Sequence, residues 1–396
     1  MIHRENSKIK KFHEKVKQPN GIVKLTLTNF RNYKELRLVL DSRSLVITGD
    51  NGAGKTNILE AISLLARGSG LRNSKLSEIG SRDVDEEHGD SWAVAASLKY
   101  GNEITNLGTS YDPLSNEKRK ANINGRGGIS LSYFAEHISV LWLTPQMDNL
   151  FIESPSDRRK FLDRMVSVID PGHAGRCAAF DRANRQRMKL FRDGMYDEKW
   201  HEALEDVLCR YGVSISAARI DFLNRMNKSI CEYQGPFPIP TLSMVGEIDT
   251  LLADRPAIEA EELFRENLEE KRLNVSKRGD LSSTEGPNRS DLKVVMKDNG
   301  RVASECSTGE QKALLVSIIL ANLSLLPFKK NITRILLLDE VVAHLDEGRR
   351  SFLFDRLFQT NTQVWITGTD KNIFSSLGDK VQYFTVDKSM ISLSLS

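Results

Sequence analysis

Close cysteine pairs are absent from this chain. Its four cysteines, Cys177, Cys209, Cys231 and Cys306, stand well apart, which argues against a structural zinc site and leaves buried or inert thiols suited to a reducing cytosol. No apolar run approaches the roughly 18 residues that a membrane span requires. The N-terminal stretch MIHRENSKIKKFHEK is basic but has no apolar stretch behind it, so it does not read as a secretory signal. A strong net charge is missing as well. The formal value of +3 neither demands nor excludes nucleic acid, and the distribution of charge matters more than its sum. There remains a chain of 396 residues, 40% hydrophobic and 28% charged, long enough to bury a large core with room for one or two further domains.

The sharpest positive signal is GDNGAGKT at Gly49–Thr56. Its glycines let the backbone curl so that successive amides point inward at phosphate. Gly49, Asp50, Asn51, Gly52, Ala53 and Gly54 form the expected cradle, continued by Lys55, Thr56 and Asn57. Lys55 brings a point charge for the outer phosphates, and the Thr56 hydroxyl can ligate magnesium. The context agrees. The short strand Ser44–Thr48 runs into the loop, and Ile58, Leu59, Ile62, Leu65 and Ala66 form one apolar helical stripe after it. Upstream, Ile22–Leu27 and Leu36–Leu40 read as strands around FRNY at Phe30–Tyr33. Arg31 in that motif is a candidate for nucleotide or DNA contact, with an ordinary surface arginine as the alternative.

Short apolar stretches and polar turns from Trp92 to Asn124 predict a small antiparallel subsheet. Ile138–Leu143 is an apolar strand followed by Thr144, Pro145 and Gln146. A glutamine just past a core strand can bond magnesium-bound water and sense a third phosphate, and plain loop polarity is the blander reading. Residues 157–233 carry little strand signal and much Lys, Arg, Leu and Ala, so they predict helices. Arg182, Arg185, Arg187, Lys189 and Arg192 crowd into one segment there. That density can meet phosphates or simply face solvent. Pro236, Pro238 and Pro240 interrupt the helices, a helix is expected over Pro256–Leu273, and Ser276–Ser290 reads as a loop.

Near the C-terminal end, CSTGEQK at Cys306–Lys312 opens a long apolar helix. Ser307 and Glu310 have capping-box spacing. Read sharply, Ser307, Gly309 and the free amides of that helix bind a terminal phosphate held by a second copy of the chain. ILLLDE at Ile335–Glu340 is an apolar run that predicts a buried parallel strand. It delivers Asp339 to order magnesium and Glu340 to act as general base on the attacking water. Asp346 follows a turn or two later, where it can touch a partner. Gln363–Thr367 is a further core strand, after which Thr369 or Asp370 is the candidate sensor of the third phosphate.

The combination resembles the RecF family, bacterial DNA gap-repair ATPases of the ABC/SMC-like superfamily. The stretches that carry it are FRNY, GDNGAGKTNILEAI (Gly49–Ile62), LTPQM (Leu143–Met147), SPSDRRKFLD (Ser154–Asp163), GPNRSDL (Gly286–Leu292), STGEQK (Ser307–Lys312) and LLLDEVVAHLD (Leu336–Asp346). The resemblance implies that Gly54, Lys55 and Thr56 are Walker A residues and that Gln146 is the Q-loop glutamine. It implies that Ser307, Gly309 and Gln311 complete the partner's site. Asp339 and Glu340 correspond to Walker B with its catalytic carboxylate, and Asp346 to the D-loop. ATP and Mg2+ are the implied ligands. DNA, near single-strand gaps, a second copy of the chain and RecR- and RecO-type mediators are the implied partners, with no membrane. The implied location is cytoplasmic and nucleoid-associated. Asn288 and Ser290 depart from the family's usual histidine and acid in GPHRDDL.

The expected fold is therefore α/β: an ABC-type ATPase head with a mixed β-sheet core and antiparallel subsheet, plus a compact, mainly α-helical insert. The expected division is a basic extension over 1–21, the ATPase domain over 22–155 and 286–396, and the insert over 156–285. The extension is either a solubilising tail or a DNA-touching arm. Two other function classes share the motif order, a transporter-type ATPase subunit and a nucleotide-switched DNA-binding module with negligible turnover. The helical insert and the absence of a transporter-coupling segment weigh against the first, and Glu340 weighs against the second.

Overall fold

The computed structural model describes residues 20–81, 91–232, 235–278, 286–325 and 331–394. The basic extension expected over 1–21 lies outside the described residues as far as residue 19, and so do residues 279–285 of the expected loop. The chain forms two compact units. One comprises Met1–Trp142, Lys330–Ala343 and Asn361–Ser396, the other Leu143–Lys329 and His344–Thr360. Among the described residues no helix is long and apolar enough to cross a membrane.

The first unit holds two six-stranded sheets. In one, Gly21–Phe30 buries Ile22, Leu25, Leu27 and Phe30 and pairs antiparallel with Tyr33–Val39 on one side and Trp92–Tyr100 on the other. Glu103–Asp112, Asn116–Ile123 and Arg126–Gly127 continue it. The expected subsheet is thus the outer part of one larger sheet begun by the first hairpin. In the other, the order is Met390–Ser394, Val381–Asp387, Ser44–Thr48, Gln363–Gly368, Thr333–Leu338 and Ile138–Leu143. Ser44–Thr48, Gln363–Gly368 and Thr333–Leu338 are buried throughout, as parallel strands covered on both faces must be. Gln363 joins the two sheets. Its Oε1 accepts from the Ile22 amide at 2.8 Å and its Nε2 donates to the carbonyls of Ile22 and Arg43.

Register decides where this unit's chemistry lies. Thr48 stands opposite Gly368, and Leu338 opposite Ile366, in parallel ladders. The loop after Thr48, the residues after Leu338 and the end of Gln363–Gly368 therefore emerge at one edge, the carboxyl ends of the strands, where open α/β sheets bind ligands.

The second unit is mainly helical, with Pro155–Ile169, His173–Arg192, the 34-residue Glu198–Cys231, Glu247–Asp254, Ala257–Arg278, Thr308–Leu325 and Glu347–Gln359. A two-stranded antiparallel sheet pairs Pro240–Val245 with Asp291–Met296. Phe180, Leu208, Cys209, Ile215, Ile248, Phe264 and Leu268 form part of its core. This unit is larger than the insert expected over 156–285. The apolar helix Thr308–Leu325 packs on Glu198–Cys231, and Glu347–Gln359 belongs with it, the Phe352 ring lying edge-on to Phe237. Helices that share a buried face with the insert fold as part of it, whatever their distance along the chain.

Two motifs of this unit are tied together. Arg158 forms a two-point pair with Asp291, Arg159 donates to the Ser290 carbonyl, and Arg219 donates to the Pro287 carbonyl. SPSDRRKFLD is thereby bonded to GPNRSDL. Of its two departures, Ser290 is buried and bonds Asp249, while the Asn288 amide oxygen is buried without a partner.

Asp163 receives both Arg219 donors at 2.8 Å and the His173 Nε2 at 2.8 Å. Cys177 completes a cluster that has metal-ligand composition. The Arg219 guanidinium already occupies both carboxylate oxygens, however, and burial pushes the Cys177 thiol up to about 12, so the group reads as a buried structural network. Burial alone would raise the Asp163 carboxyl, but the hydrogen bonds from His173 and Arg219 outweigh it and bring it to about 2. A depressed folded-state pKa means that the carboxylate stabilises the fold above the ordinary aspartate range and stops doing so as pH falls from about 4 to about 2. The stability gap between the parent and Asp163→Asn, measured by denaturant unfolding, should narrow by about 2 kcal/mol across that window. A gap that stays constant would remove this assignment.

Candidate functional site

The buried strand Ser44–Thr48 drives straight into the phosphate loop. Two of its glycines are required by geometry. Gly49 has φ +152°, and a Cβ there would strike the Val386 carbonyl. Gly54 has φ +115°, and its Cβ would run into Asn32 and Tyr33. The helix Lys55–Ser63 starts at Gly54 with no side-chain cap, so its first amides remain available to an anion. Asp50, Asn51 and Gly52 form the exposed crest of the loop.

The Lys55 ammonium donates to the carbonyls of Gly49 at 2.7 Å and Asp50 at 2.9 Å and lies 3.6 Å from Glu340. The Thr56 hydroxyl is 2.9 and 3.0 Å from the two Asp339 oxygens. Residues from two distant motifs thus meet at the edge that the strand register defines. The Thr56 and Asp339 oxygens are hard donors of the kind a divalent cation takes. Burial, aided by neighbouring Glu340, lifts the Asp339 carboxyl above the usual range against hydrogen bonds from Thr367 and Thr56.

Glu340 has φ +54°, an uncommon backbone state for a residue with a side chain. Its amide donates to the Thr367 hydroxyl at 3.0 Å, and that hydroxyl donates to Asp339 at 2.7 Å. Fully buried Thr367 therefore holds both carboxylate residues. Strain of this kind persists only where its surroundings over-determine it. Sequence reasoning missed Thr367 and looked two or three residues further on. Asp370 instead accepts from the Asn372 amide and caps the following turn. The available signal was the strand itself, because its parallel pairing places Thr367 beside the Asp339 segment.

The FRNY motif is accounted for residue by residue. Phe30 packs edge-on to Trp92 at 5.8 Å. Arg31 is engaged within the chain. Its guanidinium donates to both Glu60 oxygens, to Ser74 and to the Glu78 carbonyl, and Arg72 shares the buried Glu60. A buried carboxylate must be paired, and Arg31 supplies that pair. Asn32 and Tyr33, not singled out from sequence, brace the loop. Asn32 Nδ2 donates to the Ala53 carbonyl and to Ser389, and its Oδ1 accepts from Asn57. The Tyr33 hydroxyl, held neutral by burial, donates to the Gly54 carbonyl at 3.2 Å.

The remaining predicted residues, Gln146, Ser307, Gly309, Gln311 and Asp346, all belong to the second unit. Gln146 is exposed on the turn Pro145–Asn149, which is tied to the helix Thr308–Leu325 by the Asp148–Lys312 salt bridge at 2.9 Å. The capping box is formed: Glu310 donates its amide to Ser307 Oγ, and the Glu310 carboxylate accepts from the Ser307 amide at 2.7 Å. These bonds hold the Glu310 carboxyl below its usual range. Apart from its chain neighbours and its own helix backbone, no atom of the described residues comes within 4 Å of where a Cβ on Gly309 would sit, so the surface there is open to close approach from outside. Gln311 is buried, and its Nε2 donates to the Cys306 carbonyl at 2.8 Å, bracing the turn. Asp346 caps the helix Glu347–Gln359 by accepting from the Arg349 amide at 2.9 Å.

The family described as RecF/RecN/SMC N terminal domain matches residues 21–392. The DNA replication and repair protein RecF of Mesorhizobium japonicum is 44% identical over 370 residues, covering 92% of this chain and 96% of its own. The protein of the same name from Agrobacterium fabrum is 40% identical over 379 residues, with coverage of 92% and 96%. Among solved structures, the recombination mediator protein RecF-ATP of the RecFOR pathway has a TM-score of 0.81 at 24% identity, covering 97% of this chain and 100% of that one. At that identity the likeness concerns the fold.

Proposed function

The chain belongs to the RecF/RecN/SMC N-terminal domain family, and within it to the RecF proteins, and from that premise we propose that it is a DNA-binding ATPase of recombinational gap repair and replication, two copies of which close on ATP and reopen on slow hydrolysis. The observation that carries the reading is the corner formed by Lys55, Thr56, Asp339 and Glu340, in which a phosphate-binding loop, a hydroxyl–carboxylate pair and a strained second carboxylate converge.

In this reading the loop amides and Lys55 bind the phosphates and replace their water shell. Thr56 and Asp339 would hold magnesium, which would supply positive charge to the phosphate oxygens, and Gln146 keeps the Q-loop role that the resemblance implies. Glu340 takes the proton of the attacking water. Ser307 and Gly309 of the second copy complete each site, so the third phosphate is a ligand for the closed state alone.

DNA binds largely through its backbone, near single-strand gaps, and RecR- and RecO-type mediators join in assisting RecA loading. The identity of 40% to 44% with proteins named DNA replication and repair protein RecF supports a role in that process. The protein acts in the cytoplasm, associated with the nucleoid.

Hydrolysis measured against protein concentration, with and without gapped DNA, tests the reading. Turnover per molecule should rise with concentration and rise again with DNA. Turnover that is independent of concentration would overturn the shared site.

A further inference from the structure

The sequence leaves open whether the basic cluster on the helix His173–Arg192 is a binding face or merely a solvated one. Helical phase separates its members. At about 100° per residue, Arg182, Arg185, Lys189 and Arg192 fall within an arc of about 80°, with Arg187 on the far side. The structure agrees. Those four are exposed, whereas Arg187 is buried, donating to Glu205 at 3.0 Å and to the Leu268 carbonyl at 2.8 Å.

The four exposed cations make a line about 15 Å long. Their spacings are three, four and three residues, at which like charges repel along a helix. Elsewhere in this unit the exposed pair Asp221 and Arg225 is opposite in sign, while Glu259, Glu262, Glu266 and Glu269 make an exposed acidic line of the same spacing. Asp181 flanks the line and its charge acts on Arg185, but among the described residues none of the four cations forms a salt bridge. At the end of the line the chain turns, and Tyr196 and Trp200 are 48% and 50% exposed. Two acids lie between them: Asp197 is engaged in capping the next helix through the Trp200 amide, and Glu198 is exposed. Cations that track a backbone and open ring faces beside them are what a nucleic acid with unpaired bases requires.

We propose that Arg182, Arg185, Lys189 and Arg192 form a rail for the DNA phosphate backbone, and that Tyr196 and Trp200 stack on unpaired bases at its end. The proposal rests on the reading of the chain as a DNA-binding ATPase and assigns part of that binding to these residues.

The test uses the full chain with ATP and two labelled DNAs, a paired duplex and the same duplex with a short gap, titrated by anisotropy across a salt series. Replacing the four cations with Gln should lower the slope of log affinity against log salt by about 3 to 4, near 0.9 for each phosphate no longer neutralised. DNA-free ATP hydrolysis and the melting profile should remain parental, and Arg185→Lys should keep the parental slope. Tyr196→Ala with Trp200→Ala should keep the slope but lose about tenfold of the preference for gapped over paired DNA. A parental slope in the first variant, or parental discrimination in the second, overturns the proposal. Failure of the unaltered chain to bind either DNA at low salt would instead overturn the DNA-binding reading on which it stands.

Discussion

Glu340→Gln should lower ATP turnover by about 10² to 10⁴ while leaving nucleotide binding in place, and should leave the ATP-bound dimer closed. The size of the effect is that of losing a general base. The selectivity follows from the geometry. The amide has the same shape as the carboxylate, and the Thr367 bond is to the Glu340 backbone, so the unusual φ of +54° is retained. Lys55 keeps both loop carbonyls, at 2.7 and 2.9 Å, when the contact of 3.6 Å to the carboxylate is weakened. Binding and closure depend on the groups that remain, whereas only the proton acceptor is removed. Rapid-quench hydrolysis gives the first quantity, and light scattering in ATP gives the second. Turnover within about threefold of the parent would remove Glu340 from the chemistry. A variant that turns over slowly but no longer dimerises would separate the base from the closing device.

Ser307→Arg should abolish ATP-dependent dimerisation, and turnover with it, at the cost of a small loss of fold stability. The local cost is that of a helix cap. Ser307 Oγ accepts from the Glu310 amide, and its loss is worth about 1 kcal/mol. The helix it caps is buried along most of its length, from Gln311 to Leu323, and survives. The larger effect is at the exposed end. A long cation placed where a second copy's nucleotide must approach adds bulk and alters local charge, and a mismatch of a few kcal/mol lowers the association constant at least about a hundredfold. Ser307→Ala separates the two terms, since it removes the cap without adding bulk or charge. It should lose the same stability yet dimerise far better than the arginine variant. An arginine variant that hydrolyses and dimerises like the parent would leave no place for Ser307 in a shared site.

Some of this protein was legible as a string of letters because the physics involved is local. A phosphate loop is eight consecutive residues, and glycines at fixed places permit one kind of curl, so Gly49–Thr56 and the helix after it followed directly. A capping box needs only Ser307 and Glu310, and it formed. The apolar run before Asp339 can be buried only as a core strand. The family could be named from such pieces because each is short and their order is specific.

Other features depend on pairing between residues far apart, and no local pattern carries that information. Thr367 holds Asp339 and Glu340 because two parallel strands align, and neither strand announces its neighbour. Arg31 points at Glu60, and Gln311 points into the turn, because a buried carboxylate and a buried carbonyl need donors there. The helix Thr308–Leu325 joins the helical unit because of the apolar face it shares, although it opens with a nucleotide motif. Helical periodicity orders side chains around an axis but does not say which side faces the core. Once Phe180, Ala183 and Leu190 are seen to be buried, Arg187 goes inside with them, and four of the five clustered cations are left on the surface.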